Sequence, residues 1–196
     1  MHRLFKFPAV WLIVSILFLS GLLLINFSSW IEPYIQGQQK LNQENYTESL
    51  KYFDQASERF ASSDIAKKIL PDIYTAIWGN QFHILYQLGD YDTLFEKVST
   101  SPISASIHHW TGCAFFRRAG EHSDDAREQI VWLERASGEF LSVLKLEPEN
   151  WNAKYNFELT NRLIDGLKNE EEAPPQILEI LLPRPRQGEQ PSRLTG

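Results

Sequence analysis

The stretch Ile73-Tyr74-Thr75-Ala76-Ile77-Trp78-Gly79-Asn80-Gln81-Phe82-His83-Ile84-Leu85-Tyr86-Gln87-Leu88, with Gly89-Asp90-Tyr91-Asp92 after it, decides the fold. Ile73, Ile77, Ile84 and Leu88 recur at i, i+4, i+11 and i+15, one face of a helix with 3.6 residues per turn. Gly89 ends that helix, and Leu94, Phe95 and Val98 face inward from a second one. Thr100-Ser101-Pro102 breaks the second helix, because proline cannot continue the hydrogen-bond ladder. The pattern predicts two helices joined by a tight turn.

The same plan repeats on both sides. Toward the C-terminus, Ile103, Ile107, Trp110 and Ala114 mark a helix with Gly112 at its small position, ending at Ala119-Gly120. Ser123 is the expected N-cap of the next helix, with Asp124 and Asp125 in its first turn, where negative charge suits the helix dipole. That helix runs through Ile130, Leu133, Phe140 and Leu144 to Lys145. Pro148 stops it, Asn150 caps the next, and Trp151, Tyr155, Leu159 and Leu163 stripe a closing helix to about Leu167. Toward the N-terminus, Gly37 sits at the small position of a first helix, and Tyr46, Ser49, Phe53 and Ala56 follow in a second. Leu50, Phe53 and Phe60 lie on one face. No segment alternates with period 2, so the expected class is all-α.

These spacings resemble the tetratricopeptide repeat, a pair of antiparallel helices about 34 residues long in which small residues allow close approach and large ones fill the gap to the next pair. The resemblance covers about residues 30–167, and the expected helical domain is 30–168. Ser49 departs from it, standing where the repeat usually has Ala, and the third pair has a long second helix.

Before this domain, residues 7–29 are expected to form a transmembrane anchor. No charged residue occurs from Phe7 to Ile31, and Ser15, Ser20 and Gly21 are the only breaks in the apolar core of the run. About 20 apolar residues at 1.5 Å each span a hydrocarbon core of roughly 30 Å. Arg3 and Lys6 precede the run and no Lys or Arg follows until Lys40, so residues 1–6 are expected in the cytoplasm and the rest across the membrane. Trp30 and Tyr34 suit the far interface. The rival reading is a cleaved signal peptide, which has a shorter apolar core of about 7–15 residues and a small-x-small site that does not stand out here. In a bacterium the anchor reading gives a single-pass inner-membrane protein with a periplasmic domain.

Beyond Lys168, Glu170-Glu171-Glu172 and Pro174-Pro175 end the domain. Ile177-Leu178-Glu179-Ile180-Leu181-Leu182 reads as a short docking segment, and the Pro- and Arg-containing remainder of residues 169–196 as a disordered tail. Of 19 Lys and Arg, Arg3 and Lys6 precede the apolar run, so 17 oppose 25 acidic residues after it, a net of −8. That balance argues against nucleic-acid binding, which needs a basic stripe. Cys113 is the single cysteine, so no intramolecular disulfide forms.

Chemistry is sparse. His108, His109 and Cys113 come closest to a metal cluster, and a helix puts His109 and Cys113 on one face. Zinc needs three or four ligands, and no second pair with ligand spacing occurs, so incidental residues of a packed helix are the plainer reading. A metal chaperone or enzyme built on His109 and Cys113 is the alternative function. Asp124-Asp125 and Glu170-Glu171-Glu172 lack the spacers and sharp-turn glycine of a calcium loop. There is no Gly-x-Ser-x-Gly and no glycine-rich phosphate loop. Asn26-Phe27-Ser28 and Asn45-Tyr46-Thr47 match the short glycosylation pattern. Arg117-Arg118 and Arg184-Pro185-Arg186 are small basic spots. No catalytic residue, metal ligand or cofactor is expected. Exposed polar residues of the first helices, Asn80, Gln81 and Arg117, are the expected contacts for a partner protein.

A more specific resemblance covers residues 143–165. Leu144, Pro148, Asn150, Trp151, Ala153, Tyr155, Asn156 and Glu158 follow the order Leu-x-x-x-Pro-x-Asn-Trp-x-Ala-x-Tyr-Asn-x-Glu. It resembles a signature of small membrane-anchored proteins encoded beside MoxR-type ATPases and von Willebrand factor A proteins, one branch being the K protein of bacterial methanol-oxidation operons. The resemblance implies a non-catalytic scaffold in an envelope complex that assembles, matures or inserts metal into another protein. The implied partners are von Willebrand A proteins and a MoxR-type ATPase. In that family the von Willebrand A domains carry the metal site, and this chain has no Asp-x-Ser-x-Ser.

Overall fold

The computed structural model describes residues 6–122 and 125–168, and among these residues every regular element is a helix. They are α1 (Lys6–Asn42), α2 (Tyr46–Ala61), α3 (Asp64–Ile69), α4 (Pro71–Leu88), α5 (Tyr91–Val98), α6 (Ala105–Glu121), α7 (Ala126–Leu146) and α8 (Trp151–Lys168). The all-α class read from periodicity is therefore the observed one. The expectations for residues 1–5, Ser123, Asp124 and the tail 169–196 lie outside the described residues. The chain divides into two compact units, residues 1–77 and 78–196, with the division inside α4. The helical domain expected over 30–168 thus extends over parts of both.

In the first unit, α1 continues as one helix of 37 residues through Pro33. Trp11, Leu12, Ile13, Ile16, Leu17, Phe18 and Leu19 all point away from other parts of the chain. Among the described residues no helix is long and apolar enough to cross a membrane. Side-chain exposure is described without a break only over Trp11–Gly21 of this run, about 16 Å of helix axis, roughly half a hydrocarbon core.

The end of α1 packs antiparallel on α2, because Gly37 lacks a side chain. A Cβ there would sit 3.0 Å from the Phe53 ring. Phe53, Ala56 and Phe60 are fully buried, and a buried Phe contributes about 2–3 kcal/mol. Ser49, the departure from the repeat pattern, now has a reason. Its hydroxyl donates to the Gly37 carbonyl at 2.8 Å in a buried site, where Ala would leave that bond unmade. Asn45 is the N-cap of α2, accepting from Glu48 N–H at 3.2 Å. The six-residue α3 was not legible in the sequence, because Ile65 and Ile69 are exposed and only Ala66 is buried.

In the second unit, α4 ends as the sequence predicts. Gly89 adopts φ +72°, Asp90 N–H donates to the Leu85 carbonyl at 2.9 Å, and Gly89 N–H donates to that of Tyr86 at 3.1 Å. Asp90 then caps α5 by accepting from Thr93 N–H at 3.2 Å. Two residues therefore both end one helix and start the next.

Residue pairings give the packing directions. Tyr86 meets Tyr91, and Lys97 lies over Trp78, so α4 and α5 are antiparallel. Phe115 meets Trp132 and His108 meets Glu139, so α6 and α7 are antiparallel. Ser137 meets Asn161 and Glu134 meets Lys168, so α8 returns antiparallel along α7. Gly79 faces Ser106 and His83 stacks on Trp110, with numbers rising together. The first helices of the two hairpins, α4 and α6, therefore run parallel and side by side. Both pairings are 27 residues apart (79 to 106, 83 to 110), shorter than a tetratricopeptide period of about 34, since α5 has only 8 residues.

Several sequence expectations shift. Ile103 is 82% exposed, and Ser104 caps α6 by accepting from Ile107 N–H. The helix expected to end at Ala119-Gly120 continues to Glu121. Asp125 caps α7, accepting from Arg127 and Glu128 N–H at 2.9 and 3.2 Å. On α4, Leu88 is exposed, while Phe82, Leu85 and Tyr86 join Ile77 and Ile84 in the buried set. On α8, Trp151 is 75% and Tyr155 50% exposed, and only Leu163 of the expected stripe is buried. Each i+4 step turns about 40° past a full circle, so a series of three steps walks from the outer face to the core.

Gly112 and Gly138 separate packing from propensity. A Cβ at Gly112 would sit 2.8 Å from Phe140, whose ring is buried and cannot retreat, whereas one at Gly138 meets nothing within 4 Å. Gly112→Ala is expected to destabilise the chain by about 1–2 kcal/mol net. Gly138→Ala should stabilise it by up to about 1 kcal/mol. Urea titrations of the full chain in detergent, followed by helical circular dichroism, check the opposite signs.

Candidate functional site

The first turns of α6 and α8 flank an open cleft in the second unit. Its volume is about 230 Å³, and Ala105, Ser106, His109, Glu147, Asn150 and Asn152 line it. Two caps fix its walls. Ser104 holds the start of α6, and Asn150 holds the start of α8 by accepting from Ala153 N–H at 3.0 Å. Asn150 also donates through Nδ2 to Glu147 Oε2 at 2.8 Å, which orients the carboxylate at the α7–α8 turn. The lining offers hydroxyl, amide, imidazole and carboxylate groups side by side, and Ile103 stands exposed just before α6.

Beneath the cleft lies an aromatic layer. His83 stacks on Trp110 with ring centroids 4.4 Å apart, and His109 meets Trp110 edge-on at 5.2 Å. His83 is 3.2 Å from Gln87 Nε2. Burial pushes the His83 imidazole below its ordinary pKa, and repulsion from His109, whenever that ring is protonated, adds to this. Burial also lowers His109, with Glu147 pulling the other way. Both rings therefore favour the neutral form.

Cys113 Sγ lies 3.7 Å from His109 Nε2, so the two share a helix face as expected. The thiol is buried, and burial pushes its pKa up to about 12, with Arg117 opposing weakly. Burial thus disfavours the thiolate that nucleophilic attack or metal binding requires. His108 takes no part, because neighbouring helical residues diverge by about 100°. Its Nδ1 is 2.6 Å from Glu139 Oε2 on α7. Among the described residues no group of three or more His, Cys, Asp or Glu converges as a metal site.

The expected partner contacts divide. Gln81 is fully buried and cannot face a partner. Asn80 is half-buried. Arg117 Nε donates to Tyr86 Oη at 3.3 Å. Arg118 is held by Asp92 and, at 2.9 Å, by Glu121. Asn45 serves as a cap, and Glu170-Glu171-Glu172 and Arg184-Pro185-Arg186 lie outside the described residues. The cleft itself was missed. Its residues are about 40 apart in sequence and meet only because α6 and α8 both start at the same end of α7.

Compared with known protein families, curated proteins and solved structures, the chain matches none.

Two measurements test this geometry. At about pH 7 Cys113 should react with a thiol reagent at least ~100-fold more slowly in the folded chain than in urea. Because burial lowers His83 and His109, the unfolded chain binds more protons below about pH 6.5. Their contribution to stability is therefore full above that pH and is lost as pH falls through about 6.5 toward the folded values. Urea midpoints should drop between about pH 7.5 and about pH 5.5, and a His83→Gln, His109→Gln double variant should flatten that drop.

Proposed function

We propose that this chain is a membrane-anchored helical-repeat scaffold that holds a partner protein at the cleft between α6 and α8. The observation that carries the reading is the parallel packing of α4 on α6, with α8 closing the stack, which leaves the first turns of α6 and α8 open to an incoming segment. Burial of the Cys113 thiol, which pushes its pKa up to about 12, favours binding over thiol chemistry. The uncharged run from Phe7 to Ile31 and the outward-facing side chains of Trp11–Ser20 support an anchor over residues 7–29. With Arg3 and Lys6 before it, the domain would be periplasmic in a bacterial inner membrane.

The resemblance over residues 143–165 supplies the partner class: von Willebrand A proteins served by a MoxR-type ATPase, in assembly, maturation or metal insertion of another protein. Mild crosslinking in membranes, detergent extraction and mass spectrometry should recover such proteins. Asn152→Trp, an exposed position filled at the cleft mouth, should cut recovery about tenfold if about 1.4 kcal/mol of contact is lost. Recovery of no partner, or recovery indifferent to Asn152→Trp with the helical spectrum intact, would count against the cleft.

A further inference from the structure

The face of α8 turned away from the core is aromatic. Trp151 and Tyr155 are four residues apart on that face, and Leu146, 48% exposed, stands just before it at the end of α7. Thr160, Leu163 and Ile164 occupy the opposite, buried side. Lys154 lies over the Trp151 ring at 4.7 Å, yet most of the indole and half of the Tyr155 side chain stay in water, and adjoining exposed aromatics of this kind mark an interaction surface.

The chain itself carries a matching segment. From Lys168, the end of α8, back to Trp151 is about 26 Å along the axis. Residues 169–176 can bridge up to roughly 30 Å before Ile177, so a returning chain reaches the aromatic face. Ile177-Leu178-Glu179-Ile180-Leu181-Leu182 is the only apolar run beyond α8. The charges fall in matching order. A chain running back along α8 brings Arg184 and Arg186 past Trp151 to the exposed Glu147 and Glu149 of the α7–α8 turn.

We propose that Ile177–Leu182 folds back along α8 of its own chain and covers Trp151 and Tyr155, with Arg184 and Arg186 against Glu147 and Glu149. This docking does not require that the cleft bind a partner, although Glu147 belongs to both surfaces. The test places a benzophenone amino acid at position 155 of the full chain in detergent micelles, in a mixture of light and heavy-isotope chains. Illumination should link position 155 to residues 177–182 of the same chain. An Ile180→Asp, Leu181→Asp variant should lower the yield about tenfold, since each aspartate puts a charge where the docked segment buries an apolar side chain. Links between light and heavy chains would assign the face to a second copy and overturn the proposal. So would links elsewhere, links to detergent alone, or a yield unmoved by the two aspartates.

Discussion

The packing rests on how closely two helices approach at a residue without a side chain. Gly37 against Phe53, Gly79 against Ser106 and Gly112 against Phe140 all place a neighbour where a Cβ would need to be. Each glycine weakens its own helix by up to about 1 kcal/mol relative to alanine. The contacts it admits recover that loss through buried rings and, at Gly37, through the Ser49 hydroxyl. The hairpins therefore cohere through steric fit at a few points more than through helix propensity, as expected when tertiary packing supplies most helical stability.

Local signals were legible where backbone chemistry is strict. Gly89 announced a helix end and Asn150 a cap, because few residues suit those positions. Gly37 and Gly112 were readable as small positions from repeat spacing. Faces were less legible. Trp151 and Tyr155 look like core residues by type, yet they lie on the solvent side. Gln81 looks like surface and is fully buried. Residue type reports which side chains prefer burial, while the register of neighbouring helices decides which ones receive it. The cleft follows the same rule: Ser106, His109, Glu147 and Asn152 form no local motif, and only the return of α8 along α7 brings them together.

The layer under the cleft shows how apparent chemistry becomes structure. His83, His109 and Cys113 are reactive residue types, but each is enclosed by its neighbours. His83 lies against Trp110, His109 between Trp110 and Phe140, and Cys113 is buried on the same helix face as His109. Burial disfavours charge on the imidazoles and on the thiol, and the three side chains pack between α4, α6 and α7 with polar edges.

The mismatch between α5 and α7 has a consequence for growth. An array lengthens by addition only if every unit offers its successor the surface its predecessor offered. Here the second helix of one hairpin has 8 residues and that of the next has 21, about 12 Å against 32 Å of axis. A copied hairpin would find no ledge of matching length on either side. Stacking a further copy of either hairpin would therefore not repeat the surface that α4–α5 offers to α6–α7.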